Sequence, residues 1–197
     1  MARSQIAVHP VTSREDRAAL TQLWLSASVE SGVSPEAASR RASQGAVEAA
    51  LQREDVYGFL ARFDDEPAGF IVATESLMRF SDGDELVIEQ IYVDPGLRKQ
   101  GVARSLLLAT TGLAERLGFD RIASAVPSGA REANRFFARL GFGPTVTRRV
   151  ASVSAVRRRV SPTEATSSRD RLLHLRRSMR ARTRSESGAT ASIAKFG

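Results

Sequence analysis

Residues 86–118 read LVIEQIYVDPGLRKQGVARSLLLATTGLAERLG. Three unlike pieces succeed one another here. Residues 86–93 are β-branched and aromatic, which predicts a strand. Asp94, Pro95 and Gly96 stop it, because proline donates no backbone hydrogen bond and glycine turns freely. From Val102 the period changes. Val102, Leu106, Ala109, Leu113 and Leu117 recur three or four apart, on one face of a helix, and Gly118 terminates it. The first turn of a helix leaves N–H groups unpaired and carries partial positive charge. Gly101 and Ala103 are small enough to let a bulky anion reach the backbone, and Arg98, Lys99 and Arg104 add cations. The physics is that of a pyrophosphate cradle. It is not a Walker loop, since G-x-x-x-x-G-K-S/T is absent, nor the dinucleotide fingerprint, since G-x-G-x-x-G is absent.

Working outward, residues 119–126 predict a strand closed by Pro127. Ser128 is placed to cap a helix with Ala133, Phe136, Phe137 and Leu140 as its apolar positions. Residues 141–144, Gly-Phe-Gly-Pro, end that helix, and 145–150 suit a further strand. Towards the N-terminus, residues 78–85 contain Ser-Asp-Gly-Asp, a solvated loop. Residues 56–63 and 68–74 form a hairpin about a turn at 64–67. Ser34 before Pro35 opens a helix that runs to about Gln52, with Ala38, Ala42, Val47, Ala50 and Leu51 on its buried side. Ser13 and Asp16 open an earlier helix, whose face is Leu20, Leu23, Trp24 and Ala27; Trp24 belongs to the core or to a groove wall. Residues 6–11 begin the chain with a short strand.

The 197 residues, 42% hydrophobic, suffice for one ordinary domain and an appendage. There is no cysteine, which excludes disulfides and thiolate chemistry. With only His9 and His174, a histidine metal site is not expected. The N-terminus lacks an apolar signal core, and no run approaches the ~20 apolar residues of a membrane span. A soluble, cytoplasmic protein is the expectation. The net charge of +7 is uneven: from Arg148 onward there are 13 basic and 3 acidic residues, leaving 16 basic and 19 acidic before it. The basic character belongs to a tail. Beyond about Val160 the composition turns to Ser, Thr, Arg and Pro, which predicts poor order. Arg157, Arg158 and Arg159 read as a solvated face, and the tail as a weak candidate for nucleic acid or an anionic surface.

The spacing Arg98, Gly101, Ala103, preceded by Ile88, Ile91, Val93, Asp94 and Pro95, resembles the signature of the GNAT superfamily of acyl-CoA-dependent N-acyltransferases. The resemblance covers roughly residues 4–150, and Arg139 to Phe142 match the family's closing helix and its glycine-phenylalanine exit. It implies an α/β fold: a mixed, mostly antiparallel sheet with helices on both faces. It also implies a domain at 4–150 and a basic tail at 151–197. In the family the fourth strand bulges and splays from the fifth, and the pantetheine arm lies in the gap. Carried over, Ile91, Tyr92 and Val93 lie beside the arm. Arg98, Lys99, Gln100, Gly101, Val102, Ala103 and Arg104 form the cofactor loop, with residues 99–104 on the pyrophosphate. Glu89 is the candidate base. By strand alternation it shares a face with Val87, Ile91 and Val93, and a carboxylate on an apolar face gains basicity. Tyr92 falls on the opposite face unless a bulge flips it.

Three positions depart from the family. Phe137 stands where many members carry a proton-donating tyrosine, Ala130 where many carry an asparagine that touches the cofactor, and Ala125 where ribosomal-protein acetylators place an acid. Asn134 is near but on another helical face. The reading is an N-acetyltransferase moving acetyl from acetyl-CoA to a primary amine, small molecule or protein, without a metal; a homodimer is left open. The acceptor pocket is expected between the first two helices, the 78–85 loop and Glu89, with Glu30, Asp82, Asp84 and Glu85 hinting at a cationic acceptor. The rival is a non-catalytic acyl-CoA sensor of the same fold, motivated by Phe137 and Ala130 and delivered to nucleic acid by the tail.

Overall fold

Five strands lie side by side in sequence order: β1 (Ile6–Pro10), β2 (Val56–Phe63), β3 (Glu66–Glu75), β4 (Glu85–Val93) and β5 (Arg121–Ser124). The computed structural model describes residues 5–75, 85–145 and 149–160. Successive pairs are antiparallel except the last, where β5 runs parallel to β4. This is the mixed, mostly antiparallel sheet that the resemblance implies. β2 and β3 join through Asp64 and Asp65, whose φ angles are 47° and 68°. That left-handed pair makes a two-residue hairpin whose twist matches the strands, so Glu66 and Pro67 join β3 rather than the turn.

Strand pleating sends neighbouring side chains to opposite faces, and a core forms on each. On one face Phe59, Ile71, Leu86 and Ile88 meet Val102, Leu106 and Leu113 of α4 (Val102–Leu117), together with Phe137 of α5 (Arg131–Arg139). On the other, Leu60, Phe70 and Tyr92 meet Leu20, Leu23 and Ala27 of α1 (Arg14–Glu30) and Val47 of α3 (Ala46–Leu51). Trp24 packs against this second core. Each fully buried aliphatic side chain contributes about 2 kcal/mol. Both sheet faces therefore carry helices because both faces of β2, β3 and β4 are apolar.

Capping agrees with the sequence at two starts. Ser13 accepts from the Asp16 N–H, and Ser34 accepts from the Ala37 N–H at the head of α2 (Pro35–Ser43). Elsewhere the helices differ. The single helix expected from Pro35 to Gln52 is two, because Gly45 adopts φ 70° and turns the chain between α2 and α3. Ala50 is exposed as a result. The buried stripe of α4 is broader than the one read from spacing: Leu107, Thr110 and Ala114 are buried, whereas Leu117 is 41% exposed. Thr110 is tolerated there because its hydroxyl donates to the Leu106 carbonyl at 2.9 Å. Ser128 does not cap α5, whose N-cap is Ala130.

Two units divide the chain, 1–143 and 144–197. In the second, the described helix is α6 (Val153–Val160), with Val153 and Val160 exposed beside three arginines. Residues 78–84 of the expected loop, residues 146–148 of the expected further strand and the tail beyond Val160 lie outside the described residues, and Thr145, Arg149 and Val150 are not in a strand. Among the described residues no helix is long and apolar enough to cross a membrane.

Candidate active site

The site is built where β4 leaves its neighbours. Val72 pairs with Gln90 but Ala73 pairs with Ile88, so Glu89 is an extra residue on β4. Such a bulge breaks the alternation of faces. Leu86, Ile88, Ile91 and Val93 all turn to the α4 core, while Tyr92 turns to the α1 core. Alternation read from the sequence put Glu89 with Ile91 and Val93; the bulge corrects this. Glu89 lies on the opposite face from them, the face of Tyr92. It is exposed, and its Oε1 accepts a hydrogen bond from the Thr74 hydroxyl at 2.9 Å. The apolar surroundings expected of it are absent.

The pairing of β4 with β5 covers only Glu85 to Ile88. Beyond Ile88 the β5-facing edge of β4 has no strand partner among the described residues. Residues 89–93, paired with β3 on one side from Gln90 on, thus have no ladder partner on the other; Ile91, Tyr92 and Val93 lie along that edge, where Arg98 donates to the Val93 carbonyl.

After β4, Asp94 accepts from the Gly96 N–H and starts a turn of 3-10 helix at Pro95–Leu97. Lys99 and Gly101 then take left-handed φ of 66° and 95°. The left-handed lysine costs of order 1 kcal/mol, and together the two residues wind the chain into the head of α4. Gly101 is the N-cap of α4 and supplies no side-chain bond to the amides that follow. The Ser105 N–H is the first to be taken, by the Gly101 carbonyl at 3.0 Å. Val102 is fully buried in the core, which fixes the helix end, while Gln100, Gly101 and Arg104 are exposed around it. An anion is the natural occupant of such a turn.

Arg98 is not free to serve that anion. Its Nη2 donates to both carboxylate oxygens of Glu30 at 2.6 Å, and its Nε donates to the Val93 carbonyl at 3.2 Å. The bond to Glu30 raises the guanidinium pKa further. Glu30 ends α1, where the helix dipole disfavours a carboxylate, and Arg98 offsets that charge. The pair ties the end of α1 to the end of β4. Gly69 is a residue that motif reading missed. A Cβ there would stand 2.5 Å from the Tyr92 carbonyl oxygen and 3.2 Å from the Val93 Cα. The signal was available, since a lone glycine within a strand often marks a close backbone approach.

A cavity of about 600 Å³ opens between α1, α2 and the end of β4. Leu25, Val29, Pro35, Ala38 and Pro95 make its walls apolar; Ser26, Ser39, Glu30 and Tyr92 are its polar members. Burial, and then the carboxylates of Glu30 and Asp94, push the Tyr92 phenol up. The pocket expected from the sequence shares the first two helices with this cavity. Glu89 and Glu85 do not line it, and Asp82 and Asp84 lie outside the described residues.

The departures noted in the sequence have structural settings. Phe137 is 5% exposed and packs edge-on against Phe136 and Phe142, with ring centroids 5.5 and 5.0 Å away. The Asn134 side-chain nitrogen donates to the Pro127 and Ala130 carbonyls at 2.9 Å, holding the first turn of α5. Ala125 is exposed just past β5. Away from the site, the Tyr57 hydroxyl donates to Glu75 at 2.7 Å, and that bond with burial pushes the phenol up to about 12.

Set against known protein families, residues 17–142, well over half of the chain, match the one described as acetyltransferase (GNAT) family. No curated protein sequence matches. Among solved structures the chain is similar to the aminoglycoside N-acetyltransferase AAC(6')-Iy in complex with CoA. The TM-score is 0.63 at 20% identity, over 77% of this chain and 96% of that one. It is also similar to a ribosomal-protein-alanine N-acetyltransferase from Brucella melitensis biovar Abortus 2308. There the TM-score is 0.59 at 16% identity, over 76% of this chain and 99% of that one. At such identities the likeness is one of fold.

Proposed function

The chain belongs to the GNAT acetyltransferase family, and on that premise we propose that it moves the acetyl group of acetyl-CoA to a primary amine by direct attack within a ternary complex. One observation carries the reading. The amides that open α4 have no side-chain cap, and they follow directly on a β4 edge that β5 has left. A diphosphate fits the first feature and a slender amide-bearing arm fits the second. In this reading residues 99–104 take the pyrophosphate through backbone N–H groups, with Lys99 and Arg104 adding charge. Ile91, Tyr92 and Val93 face the arm with main-chain groups, and Arg98 acts through its tie to Glu30 rather than on the phosphates.

The chemistry needs the reactants held together, the amine deprotonated and the thioester oxygen stabilised. The amine nitrogen bonds to the carbonyl carbon and the C–S bond breaks. The proton leaves the nitrogen for Glu89, directly or through water, and CoA departs as thiolate. Phe137 donates no proton; the thiolate leaves without an acid and takes its proton from solvent afterwards. Residues 4–150 are the catalytic domain in this reading and 151–197 a separate basic appendage. An acceptor panel monitored for thiol release tests it, with Glu89→Gln alongside. Amine-dependent release supports transfer, whereas acetyl-CoA binding without it on any amine supports the sensor.

A further inference from the structure

We infer that the acceptor is a primary amine carried on an apolar body and bearing a single positive charge before it reacts, not a polycation. This rests on the acetyl-transfer reading above. The cavity between α1, α2 and β4 is where the acceptor's body lodges. Its volume of about 600 Å³ matches a drug-sized ligand, and it is a groove open to solvent along one side, with Val29, Pro35 and Pro95 exposed. Tyr92 lines it and stands on the same face of β4 as Glu89. Three strand residues, about 10 Å, therefore separate the cavity from the proposed base. A body seated against Tyr92 directs its amino group along β4 towards Glu89.

Charge decides the class of body. Glu30 is the one carboxylate among the described residues lining the cavity. Both its oxygens already receive Arg98 Nη2 at 2.6 Å, so its charge is matched before any ligand arrives. The walls beside it are Leu25, Val29, Pro35 and Pro95. A polycation seated there finds no free carboxylate among the described lining residues, and its further ammonium groups give up water against apolar walls without a partner. An aryl or alkyl body gains the burial of its own surface instead. Its one amino group must be neutral to attack, so no buried counter-ion is required.

The experiment compares kcat/KM for tryptamine and 2-phenylethylamine with that for spermidine and neamine, using the full chain and acetyl-CoA. The expected result is a preference of at least tenfold for the two arylalkylamines. Val29→Asp places a second, unmatched carboxylate on the cavity wall at a position that is 44% exposed and so tolerant of change. It should raise the KM for tryptamine about tenfold while the KM for acetyl-CoA holds. Equal or better use of the polycations overturns this inference and leaves acetyl transfer standing. A Val29→Asp enzyme with unaltered tryptamine KM overturns the placement of the body. A chain that acetyl-CoA stabilises but that acetylates neither arylalkylamine overturns this inference, and acetyl transfer then rests on the wider acceptor panel.

Discussion

Glu89 owes its position to one extra residue. Without the bulge it would point into the α4 core beside Ile91; with it, the carboxylate reaches solvent on the face that α1 and α3 cover. Its bond from Thr74 fixes an orientation rather than a desolvated environment. Glu89→Gln keeps the shape and removes the proton acceptor. It should lower kcat/KM about a hundredfold with the acetyl-CoA KM unchanged, as read by thiol release across pH. Full activity of the variant at every pH would remove Glu89 from the mechanism. Glu30 is a positioning residue by its contacts. Glu30→Gln weakens the Arg98 tie between α1 and β4, so it should raise the acetyl-CoA KM more than it lowers kcat, and Glu30→Asp should recover part of the loss.

At the scale of elements, the cradle depends on how closely β3 approaches β4. A methyl group at Gly69 collides with the Tyr92 carbonyl, and main chain cannot yield as a side-chain tip does. Gly69→Ala should destabilise by about 1–3 kcal/mol and weaken acetyl-CoA binding together with it, measured by denaturant unfolding and by titration. The strand, the loop and the helix of residues 86–118 were legible because their chemistry is local: β-branched period, proline and glycine stops, then a 3.6-residue period. The break at Gly45 was not legible, because a glycine inside a helical pattern is tolerated as often as it turns the chain. The bulge at Glu89 was not legible from residue types either. It is defined by the register of β4 against β3, a non-local property, and residue types alone leave the face of Tyr92 conditional on it. Arg98 shows the same limit: its place in the motif was readable, whereas its partner sits 68 residues away on α1.

Across the whole molecule, acid stability has a specific source at the edge of the sheet. The Asp16 carboxyl accepts from the Ser13 hydroxyl at 2.7 Å and meets His9 Nε2 at 2.9 Å. The Ser13 bond first, and His9 after it, hold its pKa down at about 2 against an ordinary 3.8, burial opposing. A depressed carboxyl stabilises the fold fully above its unfolded pKa and loses that contribution as pH falls through the folded value. Stability should therefore drop by roughly 2 kcal/mol between about pH 4 and pH 2, and Asp16→Asn should flatten that part of the curve. At neutral pH the molecule is organised to present α4's first amides beside an open sheet edge. Thermal unfolding with and without acetyl-CoA, for the natural chain, Gly101→Glu and Gly118→Glu, tests that claim most directly. The last two replace left-handed glycines at opposite ends of α4, with φ of 95° and 82°, so backbone strain is common to both. Acetyl-CoA at a hundred times its Kd should stabilise the natural chain by about 2.7 kcal/mol, stabilise Gly118→Glu likewise and leave Gly101→Glu unmoved. An equal shift in Gly101→Glu, or none in the natural chain, would contradict the account.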